Sequence, residues 1–318
     1  MSTTTQIVTI TDANSGAAAK ILVSLGFNSF SWQPWLDDGP REMLWAHPEF
    51  AGGNERPSGS GIPLLFPFPG RIGRAKYSFA DRDYQLEPGD AFGNAIHGFV
   101  HKRPWRVVEQ SQSRVIGEFQ ASVDDPSVLD HWPSDFRIRV SYEVRGSELL
   151  SDIHCENTGD GPLPFGFGTH TYFRLPLAEG GAAEETLVYA PVAKIWELKD
   201  MLATGKMLDL APDLQLNGGP IAGRNFDTCY TGLNSESDGQ HHTWIRDAKS
   251  GRTVTQLFDQ QFTQCIVYIP PHREAICLEP YTCVPDPFRL EAAGHKTGLR
   301  VLSPGESFAT TIRIGVNG

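Results

Sequence analysis

A chain of 318 residues, 40% hydrophobic and 20% charged, is long and apolar enough to close a core without disulfide or metal staples. Its net charge of −11, from 27 basic against 38 acidic residues with no Lys/Arg run, argues against nucleic acid and anionic membrane as partners. No run of about 18 apolar residues reads as a membrane span.

The five cysteines, Cys155, Cys229, Cys265, Cys277 and Cys283, are scattered and odd in number. They read as free thiols in a reducing compartment. MSTTTQIVTITDANSG at the start has no basic stretch followed by an apolar one, so no signal peptide is expected. The expected setting is the cytoplasm, as a monomer or homodimer.

The 32 glycines and 23 prolines fall between short apolar stretches, the pattern of many strands joined by turns. In chain order, strands are expected at QIVTIT, AKILVSL, SRVIGEFQAS, FRIRVSYEVRG, QCIVYIP and SFATTIRIGV. The clearest is the fourth. Phe136, Ile138, Val140, Tyr142 and Val144 alternate with Arg137, Arg139, Ser141, Glu143 and Arg145, giving one buried and one wet face. Phe308, Ile312, Ile314 and Val316 repeat the pattern near the C-terminus. PSVLDHW (126–132) reads as one short helical turn, and residues 51–61 and 233–242 read as exposed loops. No segment sustains helical periodicity, so alternating βα units are unsupported. The expected fold is all-β: one domain over residues 1–318, built as a large antiparallel β-sandwich.

Common catalytic motifs are absent: no G-x-S-x-G elbow, P-loop, H-E-x-x-H or cysteine-based zinc spacing occurs. Five segments instead set a polar, proton-active residue among aromatics, prolines and glycines. PLLFPFPGRIGR leads to Arg71, whose guanidinium suits hydroxyls or an anion. AIHGFVHKRPW carries His97 and His101; four apart in a strand, they would share a face open to a metal pair. FGFGTHTYF carries His170, with Gly166 and Gly168 suggesting a backbone bend that aims it. NFDTCY carries Asp227. EAICLEP ends an apolar run on Glu279, a carboxylate that either emerges into solvent or borders a hydrophobic cleft and acts as a base. On the residues alone, His170 fits a structural role as well as a catalytic one.

Taken in this order, the five segments resemble the aldose 1-epimerase (galactose mutarotase) family over roughly residues 60 to 290. The resemblance implies the large antiparallel sandwich of that family, with His170 as general acid and Glu279 as general base. Arg71, His97 and Asp227 would hold sugar hydroxyls, and no metal or organic cofactor would be needed. Ring opening moves one proton from the anomeric hydroxyl and one to the ring oxygen, so an acid and a base are expected to face each other across a pyranose. Phe68, Trp105 and Tyr172 are candidates to pack on the sugar or in the core.

Two features depart from the galactose pattern. Gly70 stands where Asn usually precedes the Arg–Ile pair. The HGFVHKRPW segment also resembles hexose-6-phosphate 1-epimerases, with His101, Lys102, Arg103, Arg71 and Arg74 as candidate phosphate contacts. The alternatives are therefore a hexose-6-phosphate epimerase, a non-catalytic sugar-binding protein, and a metal-dependent enzyme using His97, His101 and His170.

Overall fold

Period-two burial builds the larger of the two main sheets, and the computed structural model describes residues 5–317. Phe136–Arg145 buries Phe136, Ile138, Val140, Tyr142 and Val144, as its alternation predicts. Ser141 is also buried and is the exception on the polar side. This strand sits third in a nine-stranded antiparallel sheet. The order is Arg106–Gln110, Arg114–Gln120, Phe136–Arg145, Glu148–Asn157, Ser307–Asn317, Thr253–Asp259, Gln240–Arg246, Leu187–Tyr189 and Asn217–Pro220.

The second sheet is made of shorter strands: β1 Leu64–Leu65, β2 Gly168–Thr169, β3 Thr171–Arg174, β4 Lys194–Lys199, β5 Leu202–Asp209, β6 Asp227–Thr231, β7 Gln264–Tyr268 and β8 Ala275–Tyr281. Its order is β5-β4-β6-β7-β8-β2-β1, with β3 also paired to β8. Every residue of β8 is buried, so this strand carries no alternation for a sequence reader to find.

The sheets share one core. Ile276, Leu278, Val267 and Phe173 from the second sheet pack in the same cluster as Ile138, Val140, Ile153, Ile312 and Ile314 from the first. Gln256 Nε2 donates to the Leu278 carbonyl at 3.4 Å and ties the layers together. The chain is thus an all-β sandwich.

Several boundaries differ from expectation. The strand in AKILVSL stops at Leu22, because Gly26 (φ 72°) and Phe27 (φ 50°) turn the chain. A Cβ at Gly26 would lie 2.2 Å from the His101 carbonyl oxygen. SRVIGEFQAS leaves the sheet at Gln120 for the one-turn helix Ala121–Asp124. The turn in PSVLDHW is a 3₁₀ segment, Pro126–Asp130, begun by Pro126 and capped by Asp125. A second short helix, Pro287–Ala292, follows Asp286 and is too brief to show periodicity. The expected loop at 233–242 ends earlier, with a strand from Gln240, and the expected exposed loop at 51–61 buries Ser58 and Ser60.

Candidate active site

Backbone register builds the site. Gly168 pairs with Tyr281 and Thr171 with Leu278, so the intervening His170 falls opposite Glu279. Glu279 pairs in turn with Ile266, and Ile266 with Cys229. A second row runs Tyr172, Cys277, Tyr268, Asp227. Directly paired residues share a face, and residues two apart do so as well. Both rows therefore lie on the side of the second sheet away from the sandwich core. There all of them except the fully buried Cys277 line a cleft of ≈ 140 Å³, together with Arg56, Arg71 and His97.

Gly166 and Gly168 serve close packing, not a bend. Neither has a positive φ. A Cβ on Gly168 would lie 2.5 Å from Tyr281 Cδ1, and one on Gly166 would lie 2.3 Å from Cys283 Sγ. The small residue at 168 lets the Tyr281 ring lie flat across the strand.

At the centre, His170 Nε2 lies 3.2 Å from Glu279 Oε1. The Tyr281 hydroxyl donates to the other carboxylate oxygen at 2.6 Å. The His170 ring stacks on Tyr172 with centroids 4.7 Å apart and meets His97 edge-on at 5.7 Å. Glu279 is 1% and His170 8% exposed. Burial pushes the Glu279 carboxyl well above its usual range; the Tyr281 hydrogen bond opposes this and the Asp227 charge adds to it. Burial also holds the His170 imidazole well below its ordinary value. Desolvation thus favours the uncharged form of each, a carboxyl beside a neutral imidazole with one titratable proton between them.

This contact corrects the geometric expectation. No space for a pyranose separates His170 from Glu279, because adjacent strands set their separation. A ligand that touches both groups has to lie over the pair rather than between them.

The other three expected residues reach the same cleft. Arg71 donates from Nε to Asp90 at 3.0 Å, and among the described residues its Nη groups have no protein acceptor. Burial alone would raise Asp90, but hydrogen bonds from Asn94 and Phe92 and the Arg71 charge outweigh it and hold the carboxyl low. His97 is buried at φ 64°, with its amide donating to the Gly70 carbonyl at 2.8 Å. Burial, then the neighbouring His170 and His101, lower its imidazole. Asp227 is open to water in the cleft, yet the protein crowded around it raises its carboxyl, with Arg71 opposing.

The segment around His97 is not the strand a metal pair requires. Ile96 pairs with Arg71, but His97 and Gly98 both turn left-handed, and Val100–Lys102 is a 3₁₀ turn. His101 ends 6.1 Å from His97, ring to ring, and lines an adjoining cavity that shares Arg56 and Ile96 with the cleft. Lys102 and Arg103 line that cavity too, with Arg103 bound to Asp125 at 2.5 Å and Lys102 facing Glu87 at 3.5 Å. Of the candidate aromatics, Tyr172 lines the cleft, while Phe68 stacks on Trp132 and Trp105 on Phe27 in the core.

Sequence reasoning missed Tyr281, Tyr268 and Arg56. Tyr281 was findable, since in a strand it shares a face with Glu279 two residues before. Arg56 was hidden inside a segment read only as a loop.

Residues 8–315 match the family model described as aldose 1-epimerase. The Escherichia coli K12 proteins YihR and YphB are similar to this chain. YihR is 25% identical, covering 71% of this chain and 70% of its own; YphB is 23% identical, covering 79% and 82%. A galactose mutarotase-like protein of Clostridium acetobutylicum superposes with a TM-score of 0.82 at 19% identity, covering 99% of both chains. Galactose 1-epimerase from Lactobacillus acidophilus NCFM gives 0.73 at 17%, again over 99% of both.

Proposed function

The chain belongs to the aldose 1-epimerase family, and we propose that it is an isomerase interconverting the α- and β-anomers of a free hexose such as glucose or galactose. The observation that carries this is the buried His170–Glu279 pair, 3.2 Å apart on the floor of a cleft. We take the whole chain as one catalytic unit, acting in the cytoplasm without a cofactor.

The anomeric hydroxyl and the ring oxygen are bonded to the same carbon. Two groups in hydrogen-bond contact can therefore reach both oxygens from one side. When the proton of the pair sits on His170 Nε2, Glu279 takes the proton of the anomeric hydroxyl while Nε2 gives its own to the ring oxygen, and the C1–ring-oxygen bond breaks. The open aldehyde turns about C1–C2 and closes on its other face, with the two roles exchanged. No net proton is gained or lost, which suits a pair that shares one. Proton transfer of this kind contributes roughly 10²–10⁴-fold for each group. Arg71, His97 and Asp227 supply donors and an acceptor for the remaining hydroxyls. Tyr281 holds one oxygen of Glu279 so that the other meets the sugar.

A hexose 6-phosphate is the second reading, and one observation favours it: Arg56 joins Arg71 on the cleft wall. Against it, Lys102 and Arg103 lie outside the cleft.

Polarimetry on freshly dissolved α-D-glucose and α-D-galactose, with glucose 6-phosphate alongside, tests the proposal. Faster decay with a free hexose supports it, and faster decay only with the phosphate moves the assignment to the second reading. Rates equal to buffer with all three sugars refute it.

A further inference from the structure

Cys277 takes no part in the chemistry above, yet it stands beside that chemistry. It is fully buried, two residues before Glu279 on the same face of β8 and paired with Tyr172. One ligand atom each from His170, Cys277 and Glu279 lies within 4.8 Å of the other two, the one such trio among the described residues. From this convergence we infer that His170, Cys277 and Glu279 form a binding site for a thiophilic divalent cation, of which Zn²⁺ is the type, and that the ion blocks the acid–base pair when it binds.

The donor set fits the ion. An imidazole, a thiolate and a carboxylate are three standard zinc ligands, and three protein ligands leave a fourth position for water or a sugar hydroxyl. Tetrahedral bonds of about 2.0–2.3 Å put ligand atoms about 3.3–3.8 Å apart. His170 and Glu279 already stand at 3.2 Å, so the thiol side chain makes most of the adjustment. Tyr281 binds Glu279 Oε2 and leaves Oε1 to the ion, the outer-shell support that orients ligating carboxylates.

Charge favours occupancy as well. Zn²⁺ with a carboxylate, a thiolate and a neutral imidazole sums to zero, so burial does not penalise the complex as it penalises each lone charge. Two protons leave on binding, one from the Cys277 thiol and one from the His170–Glu279 pair; nothing is oxidised or reduced. Cys229, the cysteine that lines the cleft, is two strands from Glu279 and outside the trio. Cys265 pairs with Pro280 and points into the sandwich core.

Binding does not depend on the function proposed above; only the inhibition does. Titration calorimetry of the purified full chain with ZnCl₂ should give one site per chain. Cys277→Ala should weaken that binding at least tenfold, whereas Cys229→Ala and Cys265→Ala should leave it unchanged. Co²⁺ added to the unaltered protein should give a thiolate-to-cobalt charge-transfer absorption, a readout that needs no variant to fold. Zn²⁺ should also slow mutarotation, with recovery on adding EDTA and with resistance in Cys277→Ala. No stoichiometric Zn²⁺, no charge-transfer band, or equal affinity in Cys277→Ala would overturn the site. Tight binding to a protein inactive on every sugar would keep the site and sink the proposed function.

Discussion

The two sheets use the same backbone pattern for different ends. In the nine-stranded sheet the strands from Arg114–Gln120 across to Gln240–Arg246 alternate a core side with a wetter one, and their inward side chains serve packing. In the second sheet strands β1, β2, β3, β7 and β8 are buried almost throughout, and the face of the sheet away from the core carries His170, Glu279, Asp227 and Tyr281. The difference teaches where stability and chemistry separate. Apolar burial in the first sheet lowers the free energy of the fold, while burial of Glu279 and His170 in the second raises it and tunes their proton affinity.

The largest expected effect tests the second sheet. Glu279→Gln should lower the mutarotation rate by about 10²–10⁴-fold, roughly 3–5 kcal/mol of barrier. It should also raise Tm at pH 7. A carboxyl raised in the folded state binds more protons there than in the unfolded chain. Its contribution is therefore fully present below the unfolded value of 4.5 and is lost as pH climbs towards the folded one. The Tm gain of the variant should accordingly shrink below pH 4.5, as calorimetry over a pH series will show. A variant as active as the parent would remove Glu279 from the chemistry.

The counterpart in the first sheet is Ile138→Ala. It should cost about 2–5 kcal/mol of stability by urea unfolding and leave kcat per folded molecule unchanged. A loss of kcat without loss of stability would mean that the two sheets are not separable in this way.

Gly168→Ala joins the regions. Its methyl would meet the Tyr281 ring at 2.5 Å and Pro69 Cβ at 2.9 Å, and such overpacking costs about 1–3 kcal/mol. Stability and kcat should fall together. Tyr281→Phe is gentler. It removes one hydrogen bond, about 0.5–1.5 kcal/mol, and should move the acid limb of the kcat/KM profile to higher pH, because the lost donor had favoured the carboxylate. An unmoved limb would leave Tyr281 with a packing role only. The smallest effect is expected for Lys102→Ala, within about 0.5 kcal/mol in stability and unchanged in kcat/KM for glucose 6-phosphate. A selective loss with the phosphorylated sugar would bring Lys102 back to the substrate.

Legibility followed the same division. Strands with one wet face, such as Phe136–Arg145 and Ser307–Asn317, were readable because alternation is the direct signature of half-burial. β8 was visible only as an apolar run ending on a carboxylate, since full burial erases the period. Arg71, His97, His170, Asp227 and Glu279 do meet in one cleft. What brings them together is strand pairing between segments far apart in the chain, which no local pattern records. The contact between His170 and Glu279 was misjudged for the same reason: the reaction suggests a gap, and only register reveals a pairing. Gly168 misled because a glycine needed for the close approach of Tyr281 looks, in sequence, like one needed for a bend.

That pairing has a consequence for how the chain can change. The distance between His170 and Glu279 is a property of the sheet lattice, indifferent to the loops that enter and leave it. Lengthening the turns before β2, after β3 or at either end of β8 leaves it untouched. Deleting one residue between Gly168 and His170 would carry the imidazole through to the opposite side of the sheet, into the hydrocarbon interior, and strand the carboxylate alone. The active centre is therefore tolerant of insertion around it and brittle to a single slip within it.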